Sequence, residues 1–314
     1  MLRAMFSNKK LAQLLATGVV ALGELDEAQK GGDYVNVPRV NLSADFARID
    51  VTATSGASFT DVATTDDKAV VLRDYSGDKY SKADLARSGE QLGLLVSASV
   101  GEKLAKRILQ QFARMTSAVI DQIDTPSADY HTLDATSNAL TLNYFRQGRQ
   151  KMRDAADDLN TCWIHSQVWG DLMYDLYTNY KVDVVGGVLI NNGRLESILG
   201  IGNFVISDLS TNSGVGTGTT TDDRYHTILL GPGAIQLAFQ KDVDTESDSD
   251  IDAPSSRIKV KHTVHYILHP KGMKWNSTAN PTDAAYGTNS NWDEAYEDHR
   301  QVKLVKIISN GGVN

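Results

Sequence analysis

Cys162 and His165 stand three residues apart at the start of an apolar periodic segment. A thiol beside an imidazole is the raw material of nucleophilic catalysis: the thiolate attacks and the imidazole carries the proton, as in a cytoplasmic hydrolase. The spacing argues against that chemistry. Catalytic Cys and His are usually far apart in a chain, with a third residue orienting the base. At the start of a helix the pair reads instead as a packed thiol and a capping or buried imidazole. His262, His265 and His269 suggest metal ligands, but they fall in a segment of strand period. On a strand, residues 265 and 269 share a face and 262 points the other way, so the three cannot converge on one ion. They are expected to be surface or interface histidines.

Two glycine-rich pieces invite nucleotide chemistry and fail for the same reason. Gly214-Val-Gly-Thr-Gly218 is followed neither by Gly-Lys-Ser/Thr nor by a helix start, the two things a phosphate loop needs. Gly200-Ile-Gly202 lacks the third glycine of a dinucleotide fold and leads into a strand. Asp242, Asp244, Glu246, Asp248, Asp250 and Asp252 alternate along one stretch, without the glycine and glutamate a calcium loop requires in register. That run reads as a solvated acidic turn between strands, or as a charged contact with a basic surface on another subunit. The sequons Asn41-Leu-Ser43 and Asn276-Ser-Thr278 carry no meaning without a secretory route. No catalytic, cofactor-binding or metal-binding residue emerges, and no cofactor is implied.

The whole chain has 314 residues, 41% of them apolar and 22% charged, with a formal charge of −8. It is too apolar to be disordered and long enough for a large core in two domains or subdomains. The acidic balance argues against a nucleic-acid binder driven by a basic face. A single cysteine rules out an intramolecular disulfide framework and a cysteine-cluster metal site, and suits a reducing cytoplasm. No apolar run approaches the roughly 20 residues that span a bilayer. At the N-terminus, Leu11, Leu14, Leu15, Val19 and Leu22 fall on one helical face, while Gln13 and Thr17 interrupt the run a signal peptide would need. This predicts a short amphipathic arm, with a neighbouring subunit as the simplest surface for it to lie on.

Ile49, Val51 and Ala53 alternate with polar residues as a half-exposed strand. Further strands are expected at Phe59 to Ala63 and Ala69 to Leu72, with polar Thr64 to Lys68 between them. The region from about 48 to 80 is too poor in large apolar residues to hold a core, and predicts a projecting hairpin. Leu92, Val96, Val100, Leu104, Ile108, Phe112, Met115 and Val119 then form one apolar stripe on a helix from Ser81 to about Ile123. Such a helix would be on the order of 60 Å long, too long for an ordinary globule. Helices follow at Thr141 to Leu159, with Arg146, Arg149, Lys151 and Arg153 outward, and from Ser166 through Tyr177. Short strands are expected at Gly187 to Ile190, Phe204 to Ile206 and Thr227 to Leu230, an exposed loop at Ser210 to Asp223, and strands at Arg257 to His269 and Gln301 to Ile308. The order is α+β, without regular βαβα alternation.

From Trp163 onward, five short signatures occur in order. They are Trp163-Ile-His-Ser-Gln-Val-Trp-Gly-Asp-Leu172, Ile198-Leu-Gly-Ile-Gly-Asn-Phe-Val-Ile-Ser-Asp208, Tyr225-His-Thr-Ile-Leu-Leu-Gly-Pro-Gly-Ala234, Tyr266-Ile-Leu-His-Pro-Lys-Gly-Met-Lys-Trp275 and Asn291-Trp292. This series resembles the major capsid proteins of tailed bacteriophages with the Hong Kong 97-type fold. The resemblance implies an N-terminal arm at 1–44, an extended E-loop hairpin at 45–80, a P-domain with a long spine helix at 81–132 and 237–269, and a compact A-domain at 133–236 and 270–314. It implies a structural, non-enzymatic protein that self-assembles through pentamers and hexamers into an icosahedral virion shell around double-stranded DNA, without sequence-specific contacts and without a membrane. Scaffolding, portal and cement or decoration proteins are the partners implied, and the host cytoplasm the place of assembly. Some relatives join subunits by a Lys–Asn bond; Lys68 lies in the implied E-loop, with nothing to mark its partner. An encapsulin-like protein nanocompartment is the alternative shell, and the Cys162/His165 hydrolase the alternative of another class.

Overall fold

In the computed structural model, the residues described are 5, 8–23, 32–41, 63–81, 87, 90–125, 130–180, 190–191, 194–195, 200–208, 224–250, 257–296 and 298–311. In chain order the elements are α1 (Lys9–Ala16), β1 (Val20–Gly23), β2 (Tyr34–Asn41), β3 (Ala63–Val70), β4 (Leu72–Ser81), α2 (Glu90–Asp124), β5 (Thr132–Ala139), α3 (Leu142–Gln150), β6 (Thr161–Ile164), α4 (Ser166–Tyr180), β7 (Ile190–Asn191) and β8 (Arg194–Leu195). They continue with β9 (Asn203–Ile206), β10 (Arg224–Leu230), β11 (Ile235–Asp250), β12 (Arg257–Pro270), β13 (Met273–Trp275), α5 (Asp283–Tyr286), β14 (Trp292–Glu294) and β15 (Leu304–Asn310).

The strands form two main sheets. The first, in the order β1-β11-β12-β4, is antiparallel except where β1 runs parallel to β11. The second has five strands in the order β5-β15-β10-β6-β9, with parallel pairs at both edges. The expected α+β class is what the chain adopts.

Helix α2 joins the two sheets. Its 35 residues span about 50 Å at 1.5 Å per residue. From Val100 to Val119 its apolar stripe is buried as the period predicts; the side chains of Leu92 and Val96 lie outside the described set. The helix expected from Ser81 does not include that residue, which is the last of β4 and pairs with Arg257. Phe112 stacks on Trp163 of β6 with centroids 4.3 Å apart. On the same face of the five-stranded sheet, Ile228, Leu230 and Leu304 join the cluster that holds α2, Tyr266 and Leu268. The opposite face buries Cys162, Ile164, Leu229, Val305 and Ile307 under α3 and α4. Alternate residues of each strand thus serve two different cores.

Several expectations change here. Helix α1 is capped by Asn8, whose Oδ1 accepts the N–H groups of Lys10 and Leu11 at 3.2 and 3.3 Å. Its Leu11 and Leu14 bury in the chain's own core, so it needs no neighbouring subunit. Thr64 to Lys68, expected to separate two strands, belong to β3, which pairs with β2 throughout. The expected strand around Ile49 to Ala53, most of Phe59 to Ala63, most of Gly187 to Ile190 and the loop at Ser210 to Asp223 lie outside the described residues. The helix expected over Thr141 to Leu159 is broken at Arg153, whose φ of 51° no α-helix continues; a 3-10 turn, Arg153–Asp158, follows. The last strand begins at Leu304, after a 3-10 turn (His299–Val302) and Lys303 at φ 54°.

The acidic run is not a turn. Asp242 to Asp250 continue β11, which pairs with β12 so that Glu246 lies opposite Lys261, Asp248 opposite Lys259 and Asp250 opposite Arg257. Acidic and basic alternations from two strands meet in register, which offsets the like-charge repulsion along each.

Residues 271–296 fold against α2. Trp275, Tyr286 and Trp292 form a buried aromatic cluster with centroids 5.0 to 5.8 Å apart. Asp283, at the first position of α5, accepts hydrogen bonds from Arg107 at 2.5 and 2.6 Å, Arg114 at 2.7 Å and Gln111 at 2.8 Å. Arg107 also donates to Asp74 of β4 at 3.0 Å, so one guanidinium ties helix, sheet and tail together.

Truncating the ring shared by both sheets should be among the most costly single changes. Phe112→Ala is expected to lower stability by about 3–5 kcal/mol, measured by urea unfolding. A loss below about 1 kcal/mol would mean that α2 and β6 are not joined in one core.

Candidate assembly surfaces

The two candidate reactive residues part company. Cys162 is fully enclosed beneath α3 and α4, and burial pushes its thiol far above the ordinary range, the reverse of an activated nucleophile. His165 caps α4: its Nδ1 accepts the Gln167 N–H at 3.2 Å, and its ring lies 4.6 Å from that of Tyr225. Asp208, 3.8 Å from His165 Nε2, accepts instead the hydroxyl of Ser166 at 2.5 Å. A serine, histidine and aspartate are therefore neighbours, yet the imidazole does not reach the serine and its Nδ1 is committed to the backbone. A triad needs the reverse wiring.

The three histidines of β12 do not meet either. Their cross-strand partners on β11 are Thr245 for His262, Lys241 for His265 and Gln236 for His269. Thr245 Oγ1 lies 3.0 Å from His262 Nδ1. His262 and His269 are buried, at 7% and 2% exposure, which corrects the expectation of surface or interface histidines; His265 is half-buried. No three His, Cys, Asp or Glu side chains are grouped to hold a metal among the described residues. Gly214 to Gly218 lie outside the described set. Lys68 sits with its ammonium 3.7 Å above the ring of Tyr34, a cation–π contact within the β2–β3 pair.

The described residues present three surface features outward. Beyond Lys241 the first sheet narrows to a ribbon of β4, β12 and β11. One face carries Tyr75, Lys79, Lys259, Lys261, Glu246 and Asp248, all exposed, around a shallow hollow of about 400 Å³. Tyr75 is 77% exposed. The other face turns toward α2, where a groove of about 480 Å³ is lined by Val100, Lys103, Leu104, His262 and Val264. On the second sheet, α4 exposes Tyr174 and Tyr177 at 70% and 62%, one helical turn apart. Sequence reading missed these tyrosines because an apolar residue on a helix is first assigned to the core.

Two buried histidines make acid sensitivity predictable. Burial pushes His269 down to about 4, and burial with the nearby Lys306 charge pushes His226 down to about 3. Between those values and the unfolded imidazole near 6.5, the unfolded chain binds more protons, so stability falls as pH drops through that window and not above it. The thermal midpoint should fall from about pH 6.5 to about pH 4, and His269→Gln should flatten part of the decline. An unchanged slope in that variant would assign the acid loss elsewhere.

The fold is one that known proteins share. It is similar to a chain of the capsid asymmetric unit of cyanophage Pam1, with a TM-score of 0.59 at 11% identity, covering 96% of this chain and 93% of that one. It is similar to a chain of Microbacterium phage Oxtober96 with a TM-score of 0.59 at 11% identity, covering 96% and 90%. It is also similar to the capsid of Ralstonia phage GP4, with a TM-score of 0.56 at 11% identity over 94% and 88%. At such identities the likeness speaks for the fold alone. No curated protein sequence matches, but the family model described as Major capsid protein 13-like matches residues 16–303. With a capsid fold along nearly the whole chain and the family model matched over residues 16–303, the chain belongs to the Major capsid protein 13-like family of shell-forming proteins.

Proposed function

We propose that this capsid protein builds the icosahedral head of a tailed phage from pentamers and hexamers, around double-stranded DNA held without sequence-specific contacts. In this reading α2 is the spine helix. The first sheet, α2 and the 271–296 segment make the P-domain, and the five-stranded sheet with α3 and α4 makes the A-domain. This divides the tail differently from the sequence-derived boundary, which gave all of 270–314 to the A-domain: only β15 enters the five-stranded sheet, while Asp283, Tyr286 and Trp292 pack on α2. Strands β2 and β3 form the base of the E-loop, with residues 42–62 beyond it. Scaffolding, portal and cement proteins would be partners, and assembly would take place in the host cytoplasm.

The observation that carries the domain reading is the pairing of β2 with β3 along eight positions as a separate two-stranded sheet. Among the described side chains it is attached at the Tyr34/Val70 end, through the cluster of Val35, Ala69, Val71, Ala238 and Ile267, through Val70 in the main core, and through the Tyr34 hydroxyl, which donates to the Ser277 carbonyl at 3.1 Å. A ribbon fixed at one end gains stability from a neighbour that covers it. The protein-cargo alternative separates on content: a phage head contains DNA and joins a tail.

The test follows from where the strands end. Residues 63–81 belong to paired strands, so the excision must stay between β2 and β3. Replacing residues 45–60 by a short Gly-Ser link should leave a folded subunit with near-normal circular dichroism, and negative-stain microscopy should show free capsomers or irregular sheets in place of closed shells. Closed shells of normal size from that variant would show that the hairpin has no part in assembly.

A further inference from the structure

Between α2 and the ribbon of β4, β12 and β11 lies the groove of about 480 Å³. Its walls are aliphatic. Val100 and Leu104 come from α2, Val264 from β12, and Val243 from the stretch of β11 between Lys241 and Asp244 where the register shifts. The charges in the lining are answered within the chain. Arg107 holds Asp74 at 3.0 Å and Asp283 at 2.5 Å, Arg73 holds Asp33 at 2.6 Å, and Lys103 stands 3.7 Å from Asp78. An ion entering the groove would meet no charge that lacks a counterpart, so the ligand that fits carries no net charge.

One polar atom of the lining is unanswered. His262 is 7% exposed, and its Nε2 has no hydrogen-bond partner among the described residues. Residues 262, 264 and 266 share a face of β12 by its period of two, and Val264 and Tyr266 belong to the cluster that contains Leu104 of α2. The imidazole is therefore on the groove side of the ribbon, opposite the side that carries Lys259 and Lys261. Its other nitrogen, Nδ1, lies 3.0 Å from Thr245 Oγ1. A hydroxyl both donates and accepts, so Thr245 can serve Nδ1 in either tautomer, and Nε2 can be the donor or the acceptor that a ligand requires. A buried nitrogen without a partner costs free energy that an incoming hydrogen-bonding group recovers.

We propose that this groove binds a phenolic ring, with its hydroxyl on His262 Nε2 and its faces against the valines and Leu104. A phenol is uncharged near neutral pH, and its one hydroxyl donates or accepts as the imidazole tautomer demands. A rigid ring fills the space between helix and sheet without the conformational entropy that a flexible alkanol would lose. The groove is within the size range of small-ligand sites. The phenol can be a free molecule or the side chain of a tyrosine carried by another polypeptide.

The full chain is titrated at about pH 7.5 with p-cresol and with p-xylene, in which a methyl group replaces the hydroxyl, and binding is read by ligand-observed nuclear magnetic resonance. p-Xylene is the more hydrophobic of the two, so adventitious apolar binding favours it, and the proposal requires the opposite order. Saturable binding of p-cresol about tenfold tighter than that of p-xylene is expected, because p-xylene leaves the imidazole nitrogen unpaired. His262→Phe keeps a ring of similar size and should abolish that preference, weakening p-cresol about tenfold while p-xylene still binds. p-Cresol should also raise the thermal midpoint of the unaltered chain more than that of the variant. Should the variant fail to fold, the order of the two ligands on the unaltered chain still decides. N-acetyltyrosinamide separates the sources: binding at least as tight as that of p-cresol, weakened again by His262→Phe, points to a tyrosine of a partner chain, and p-cresol alone to a free phenol. No saturable p-cresol binding, p-xylene binding as tight, or a preference untouched by His262→Phe overturns the proposal.

Discussion

The constraint on which the subunit rests is that α2 cannot be buried by one sheet. A helix of 35 residues carries more apolar stripe than a four-stranded sheet can cover, and its ends would lie in water if that sheet were alone. The second sheet solves this by presenting Trp163, Ile228, Leu230 and Leu304 to the same cluster. The contact is partly polar: Lys306 of β15, almost fully buried, reaches Asp121 on α2. A buried lysine left alone would be strongly unfavourable, so this pair fixes where α2 crosses the second sheet, by specificity more than by net energy. The 271–296 segment then closes the side that neither sheet covers, through Asp283 and the three large rings.

The acidic strand is stabilised by the same kind of non-local match. Along β11 the carboxylates at alternate positions would repel one another in an isolated strand. Against β12 they face Lys259 and Lys261, and slipping the register by one residue would turn every charge to the opposite face. The net charge of −8 therefore does not describe one acidic patch. Much of the strongest acidic run is answered across the strand by bases 7 to 15 residues later, which leaves the ribbon not strongly polarised.

How far this was legible follows from where the determining partner lies in the chain. The stripe from Val100 to Val119 and the alternation from Ile258 to Leu268 announce helix and strand because their period is local. His165 as a cap was equally readable, since the helix it serves begins at the next residue. Ser81 was given to the helix because nothing near it says strand; its partner is Arg257. The acidic run looked like a turn because composition alone favours water, and the bases that answer it are on another strand. Arg153 interrupted a helix whose apolar spacing continued past it, a backbone conformation that side-chain pattern does not encode. The surface that receives helix α1 cannot be read locally, because the core that takes Leu11 and Leu14 is completed largely by residues from Val70 to Leu304.

That last reassignment bears on how such a shell holds together. With α1, the 271–296 segment and both faces of the second sheet packed internally, the described residues bury their main core within one subunit. In the proposed assembly, what remains for neighbours is the β2–β3 hairpin, Tyr75 and the lysines of the ribbon, the groove beside α2, and the tyrosine pair on α4. In a closed assembly each contact recurs by symmetry, so the shell does not need any one of them to be strong. Contacts of modest size, mixed in polarity, are also the kind that break and re-form while a misplaced subunit can still be released. A chain that buries Trp163, Trp275 and Trp292 in its own core and leaves tyrosines and paired charges on its surface is suited to both demands.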